Sequence, residues 1–131
     1  MMASPFLKWA GGKRQLMTEI MDCFPPDLSE YDCYVEPFLG GGSVLIELLT
    51  RGYNGRVFAG DINQDIIACY LTVQSDVEGL IQHLSKISRG LPVDLDERKP
   101  VYYAMRDEWN RGVGKKLRQG SRNYIRRVAL T

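Results

Sequence analysis

No apolar run in these 131 residues approaches the roughly 18 positions that a membrane-spanning helix needs, which argues against a membrane protein. Histidine is nearly missing, with His83 standing alone. Cysteine is scarce, odd in number and irregularly spaced at Cys23, Cys33 and Cys69. No C-x2-C pair occurs, so neither a disulfide framework nor a zinc site is expected. The opening stretch from Met1 to Phe6 lacks the charged segment and apolar run of a secretion signal. Internal repeats and low-complexity tracts are absent too. What is there is an ordinary soluble composition, 44% apolar and 25% charged, at a length suited to one small domain. A cytoplasmic setting is the default.

The formal net charge of +1 hides an asymmetry. Residues 1–88 carry six basic and eleven acidic side chains, whereas residues 89–131 carry eleven basic and five acidic ones. From Arg111 to Arg127 there are seven basic residues and no acid. A basic segment on an acidic or neutral body suits an anionic partner held at one end, although a solvated helix face would show the same composition.

Periodicity gives the elements. Lys13 to Phe24 reads as a helix with Leu16, Met17, Ile20 and Phe24 on one face, stopped by Pro25-Pro26. Cys33-Tyr34-Val35 is a short strand, and Ser43 is placed to cap a helix from Val44 to about Leu49, closed by Gly52. Arg56 to Gly60 is a second strand ending at Asp61. Asn63 caps an apolar helix over Ile66–Val73. Asp76 caps another, with Val77, Leu80, Ile81, Leu84 and Ile87 at helical spacing and Gly90 as its stop. Residues 91–99 read as a polar linker, and Tyr102–Asn110 and Asn123–Leu130 as helices. Strand, glycine loop, helix, strand, helix is a βαβ opening to a parallel α/β sheet that two strands leave unfinished, with open edges where self-association could occur. The apolar helical run up to Thr131 reads as a truncation point.

The chemistry concentrates in two loops. In the first, Phe38-Leu39-Gly40-Gly41-Gly42-Ser43 lies between a strand and a helix, and Asp61 closes the next strand. Glycines let a ligand approach the backbone, N–H groups near the helix start face it, and a carboxylate about 20 residues on can accept both ribose hydroxyls. The spacing from Gly40 to Asp61 suits a nucleoside. It departs from G-x-G-x-x-G, because Leu45 stands where the third glycine would be, and this disfavours a dinucleotide. In the second loop, Lys8-Trp9-Ala10-Gly11-Gly12-Lys13 puts two glycines between lysines before a helix. That arrangement suits a carboxylate, with Trp9 offering a face for stacking or for a sulfonium cation. The bland alternatives are a flexible turn with a loop-capping Asp61, and a Trp packed over a helix start. His83 reads as a surface residue and Cys69 as core. Tyr102, Tyr103 and Trp109 are more readily core than base-stacking surfaces.

Taken together, Phe6-Leu7-Lys8-Trp9-Ala10-Gly11-Gly12-Lys13, Val35-Glu36-Pro37-Phe38-Leu39-Gly40-Gly41-Gly42-Ser43-Val44 and Ala59-Gly60-Asp61-Ile62-Asn63 resemble the Dam-type DNA adenine-N6 methyltransferases. The likeness continues more weakly through Tyr102–Asn110 to Arg126–Leu130. It implies a Rossmann-like S-adenosylmethionine-dependent fold, with motif X at Lys8–Lys13 and motif I at Phe38–Gly42. The cofactor, S-adenosylmethionine, would lie against Trp9, Lys13, Phe38, Gly40, Gly42 and Asp61.

The same resemblance implies methyl transfer to adenine N6 in double-stranded DNA, with residues 1–90 binding the cofactor. Residues 91–131 would begin a helical, basic target-recognition domain, in which Arg111, Lys115, Lys116, Arg118, Arg122 and Arg126, together with Lys8, are the candidate DNA contacts. The family's catalytic unit is Asp/Asn-Pro-Pro-Tyr/Phe, which holds the amino group of a base rotated out of the duplex. No such unit occurs in the sequence, since Phe24-Pro25-Pro26-Asp27 runs in the reverse order and ends a helix. The expectation is therefore a methyltransferase portion with no catalytic residue and no metal site, silent in turnover by itself. The rivals are a catalytically silent cofactor- or DNA-binding protein and a nucleotide-binding Rossmann protein.

Overall fold

A computed structural model describes residues 4–7, 13–112, 119 and 121–131. The chain forms two compact units, Met1–Ile66 and Ile67–Thr131. The division of function expected at residue 90 thus falls inside the second unit.

In the first unit, two short segments rich in β-branched and aromatic residues form β1 (Cys33–Glu36) and β2 (Arg56–Ala59). They pair in parallel, with Cys33 opposite Arg56 and Glu36 opposite Ala59. Parallel neighbours require a crossover, and α2 (Ser43–Thr50) provides it, burying Val44, Leu45 and Leu48. Side chains alternate along a strand, so Tyr34 and Glu36 share one face. There the Tyr34 ring lies 6.1 Å from that of Phe24 and 6.4 Å from that of Tyr53, and Glu36 is buried. On the other face the cross-strand partners Val35 and Phe58 are 61% and 59% exposed.

The second unit is helical. α3 (Gln64–Ser75) starts in the last residues of the first unit, where the Asn63 side chain accepts a hydrogen bond from the Asp65 N–H, and it buries Ile66, Cys69 and Thr72 at a three-residue spacing. α4 (Val77–Arg89), α5 (Leu95–Arg111) and α6 (Arg122–Leu130) are capped by the side chains of Asp76, Asp94 and Ser121. Leu80 on α4 and Ile125 and Val128 on α6 are buried, and α6 packs against both α4 and α5. Among the described residues no helix is long and apolar enough to cross a membrane.

The helices at 17–22, 43–50, 64–75, 77–89 and 122–130 and both strands match the sequence reading, while four details are corrected. Residues 91–99 are not a linker throughout, because α5 begins at Leu95. Asp94 accepts the Asp96 N–H at 2.7 Å, Asp96 and Glu97 favour the positive end of the helix dipole, and Pro100 removes only the bond to the Asp96 carbonyl. Ser43 does not cap α2. It is the first helical residue, and Gly42 occupies the cap position with φ of 69°, a left-handed backbone that overrides the preference for a serine cap. The helix expected from Lys13 opens as a 3₁₀ turn over Lys13–Leu16, and α1 proper covers Met17–Asp22. The apolar stripe of α4 divides: Leu80 is buried, whereas Val77, Ile81 and Leu84 are 41–47% exposed.

Candidate functional site

The parallel ladder does not stop at the strand ends. The Gly60 N–H donates to the Glu36 carbonyl and the Leu39 N–H to the Gly60 carbonyl, both at 2.8 Å, which carries Pro37–Leu39 alongside Ala59–Gly60. Beyond that point the chain turns, with the Gly42 N–H bonded to the Leu39 carbonyl at 2.8 Å. Gly40 adopts φ of 52°, so a side chain there would be strained, yet a Cβ would meet nothing within 4 Å. The loop therefore presents bare backbone to open space.

Asp61 fastens this loop. Its Oδ2 accepts the Gly40 N–H at 2.9 Å and its Oδ1 accepts the Asn63 N–H at 2.8 Å. Each carboxylate oxygen has a second lone pair, so the side chain can brace the loop and still accept two further hydrogens from a ligand. The Lys13 ammonium reaches the same loop from the turn before α1, donating to the Phe38 carbonyl at 3.2 Å. Phe38 itself is 73% exposed, and Ile62, next to Asp61, is 96% exposed.

Glu36 was not singled out from sequence. Its carboxyl accepts the Tyr34 hydroxyl at 3.1 Å and is buried beneath the glycine loop. Burial raises its pKa above the ordinary value. That shift is opposed by the Tyr34 hydroxyl, the charge of Lys13 and the Leu45 backbone N–H. In turn, burial and the neighbouring Glu36 push the Tyr34 hydroxyl up. The signal available in the sequence was a glutamate ending a short apolar strand directly before the glycine loop. Lys13, Glu36, Leu39, Gly40, Gly41, Ser43 and Val44 line a narrow cleft of about 20 Å³, room for one water-sized group. A much larger cavity, about 690 Å³, lies among the connections that precede the two strands, walled by Met21, Phe24, Pro26, Arg51 and Tyr53. It contains none of the loop residues and is not their site.

Of the expected cofactor residues, Lys13, Phe38, Gly40, Gly42 and Asp61 thus come together around one loop. Trp9 lies outside the described residues.

This sequence is similar to known proteins over most of its length. Residues 9–131 match the model of the D12 class N6 adenine-specific DNA methyltransferases. The chain belongs to that family. It is 43% identical over 114 residues to the type II methyltransferase M.MjaIII of Methanocaldococcus jannaschii, covering 85% of this chain and 39% of the relative. It is 37% identical over 106 residues to the DNA adenine methylase of Haemophilus influenzae, covering 81% and 34%. Against the type II methyltransferase M1.LlaDCHI of Lactococcus lactis the identity is 36% over 85 residues, covering 65% and 28%. The chain therefore spans about a third of the length of these curated relatives.

The basic residues of this D12-class chain fare unevenly. Lys8, Lys115, Lys116 and Arg118 lie outside the described residues, as does the side chain of Arg122. Arg111 is exposed at the end of α5. Arg126 is held by Glu108 in a two-pronged ion pair, Nε to Oε1 at 2.5 Å and Nη2 to Oε2 at 2.6 Å. This pairing lowers the pKa of Glu108 and raises that of Arg126. Arg127 turns inward. Its guanidinium lies 5.0 Å from the centre of the Trp109 ring and donates to the Trp109 carbonyl at 2.9 Å, while the Trp109 indole N–H donates to Thr131 Oγ1 at 3.2 Å. Trp109 is thus a half-buried α5–α6 fastening rather than a core residue. Tyr102 and Tyr103 are instead 61% and 41% exposed.

Proposed function

We propose that this chain is the cofactor-binding part of an enzyme with a Rossmann-like fold that transfers a methyl group from S-adenosylmethionine to adenine N6 in double-stranded DNA. Such work would place it in the cytoplasm. The observation that carries the reading is the coupling of Asp61 to Gly40, which sets a carboxylate with two lone pairs unused among the described residues beside a bare, left-handed glycine backbone. The residues present fit the cofactor: open space at Gly40 admits it, and the donor and acceptor set suits a nucleoside joined to an amino acid.

In this reading Asp61 accepts the ribose hydroxyls, and the exposed Ile62 and Phe38 offer apolar surface to the adenine. Lys13 and Trp9 serve the carboxylate end. Glu36, the single carboxylate lining the narrow cleft among the described residues, offers a counter-charge to the methionine ammonium. When bound, the cofactor supplies an electrophilic sulfonium methyl. The contribution of the chain is to fix that methyl in place, a positioning effect worth several kcal/mol when both reactants are held. Titration calorimetry tests the reading. S-adenosylmethionine should bind the 131-residue chain, and NAD should bind far more weakly. Equal or absent binding of the two would overturn it.

A second reading has its own support, because the sequence contains no acid-Pro-Pro-aromatic unit. By itself the chain would then hold cofactor or DNA without turnover. A tritiated-methyl assay on mixed-sequence duplex DNA separates the two readings, since incorporation into adenine would discard the silent one.

A further inference from the structure

Within the second unit, α4, α5 and α6 enclose a cavity of about 280 Å³ lined by His83, Lys86, Ile87, Gly90, Met105 and Arg126. The sequence reading gave no role to His83 or Lys86, and it listed Arg126 only as one member of a basic run. Together they form a different object: three nitrogen-bearing side chains from two helices, over an apolar floor of Ile87 and Met105.

The side chains that line the cavity retain hydrogen-bonding capacity. Glu108 engages Nε and one N–H of Nη2 of Arg126, which among the described residues leaves three of the five guanidinium N–H groups for another anion. The ion pair thus fixes the guanidinium without exhausting it. Lys86 is exposed and takes no ion pair among the described residues. The His83 Nδ1 is bound to the Gly79 carbonyl at 3.0 Å, which leaves Nε2 as the ring's second polar atom, a donor in the imidazolium form. With Glu108 committed to Arg126, Lys86 adds a positive charge that no acidic residue among the described lining offsets.

We propose that this cavity receives one sugar–phosphate unit of the DNA backbone, with Lys86 and Arg126 on the phosphate oxygens and Ile87 and Met105 against the deoxyribose. The inference rests on the DNA-methyltransferase reading above, and it adds a contact outside the basic Arg111–Arg127 run. The apolar floor is what favours a nucleic-acid backbone over a bare anion. A free phosphate has no use for Ile87 and Met105, whereas a deoxyribose lacks the 2′-hydroxyl and presents carbon there. A phosphate contact of this kind positions the duplex without reading its sequence.

A competing role exists for Lys86. It stands with Arg89 in the last turn of α4, where cations offset the helix dipole. The experiment separates the two roles. Binding of a fluorescent mixed-sequence duplex by the full chain is measured between about 50 and 200 mM salt for wild type, Lys86→Gln and the control Lys99→Gln, which removes the same charge from exposed α5 surface. Melting curves and S-adenosylmethionine calorimetry are run in parallel, along with a titration with inorganic phosphate.

The proposal expects Lys86→Gln to flatten the log–log salt slope by about 0.9, the release expected for one phosphate contact, while Lys99→Gln leaves it alone. Cofactor affinity should be unchanged in both variants. A lower melting temperature in Lys86→Gln with the slope intact would assign the residue to the helix dipole and overturn the proposal. Equal flattening by both variants would do the same, by showing a diffuse charge effect. Inorganic phosphate captured by wild type without any slope change would make this a free-anion site. Loss of DNA binding in wild type would defeat the proposal along with its premise, whereas loss of cofactor binding alone would strike only the premise.

Discussion

The glycine loop of the first unit and the α5–α6 contact of the second hold their polar groups in place by different means. In the first, the backbone supplies the fastenings: Gly40 and Asn63 donate to Asp61, and the ladder between Leu39 and Gly60 sets the loop. In the second, side chains reach across long stretches of chain, Glu108 to Arg126 over 18 residues and Trp109 to Thr131 over 22. The backbone donors take one lone pair on each Asp61 oxygen and leave the other, whereas a side-chain partner takes up part of the donor set of Arg126. A basic residue in the second unit is therefore as readily a rivet as a ligand contact, and Arg127 is the first kind.

Substituting Asp61 probes this contrast most severely. Asp61→Ala should weaken S-adenosylmethionine binding by about 1.5–3 kcal/mol, the worth of a hydrogen bond to a charged group, read by calorimetry. The loop would also lose its two braces. A variant that melts early yet binds normally would reverse the comparison, making Asp61 a structural pin. Next in size is Arg127→Met, which removes the bond to the Trp109 carbonyl and the stacking on its ring. Chemical denaturation should show a loss of about 1–2 kcal/mol with cofactor affinity untouched. A neutral result would mean that the Glu108–Arg126 pair, the Trp109–Thr131 bond and apolar contacts suffice to join α5 and α6.

The buried Glu36 sharpens the comparison through pH. Its folded-state pKa lies above the ordinary 4.5, so its contribution to stability is complete below that value and is lost as pH rises through the raised pKa. Glu36→Gln should accordingly melt higher than wild type at neutral pH, with the gap closing near pH 4, while its cofactor affinity falls. A gap that widens toward acid would refute the burial argument. The smallest effect belongs to Glu108→Gln. The pair with Arg126 is about half exposed, so its worth is about 0.2–1 kcal/mol. Here the sign is opposite. A lowered carboxylate pKa gives stability that is present above about 4.5 and lost as pH falls through the lowered value, so the variant and wild type should converge in acid.

The difference between the units also explains what the sequence made legible. Gly40, Gly42, Lys13, Phe38 and Asp61 were readable because backbone geometry ties them to local spacing, a glycine loop after one strand and an acid after the next. Glu36 was missed because its role depends on the depth to which β1 carries it, which no local pattern records. The helix caps Asp76 and Asn63 were readable from neighbouring positions. The early start of α5 was not, because Pro100 and a polar composition argued for a linker while Asp94 quietly supplied the cap. The pairing of Glu108 with Arg126 depends on how α5 meets α6, and the sequence showed Arg126 only as one of a basic run. The divided stripe of α4 has the same origin, since helical spacing names an apolar face without saying how wide its partner is.

The brace between Asp61 and Gly40 has a kinetic side. Because both oxygens of Asp61 already hold a backbone N–H, the turn is closed before anything arrives, and its ordering entropy is spent during folding rather than at the moment of encounter. Association is then a collision with a finished surface. It should proceed in a single phase at a rate set by diffusion and orientation, and differences among nucleoside ligands should appear in how long they stay.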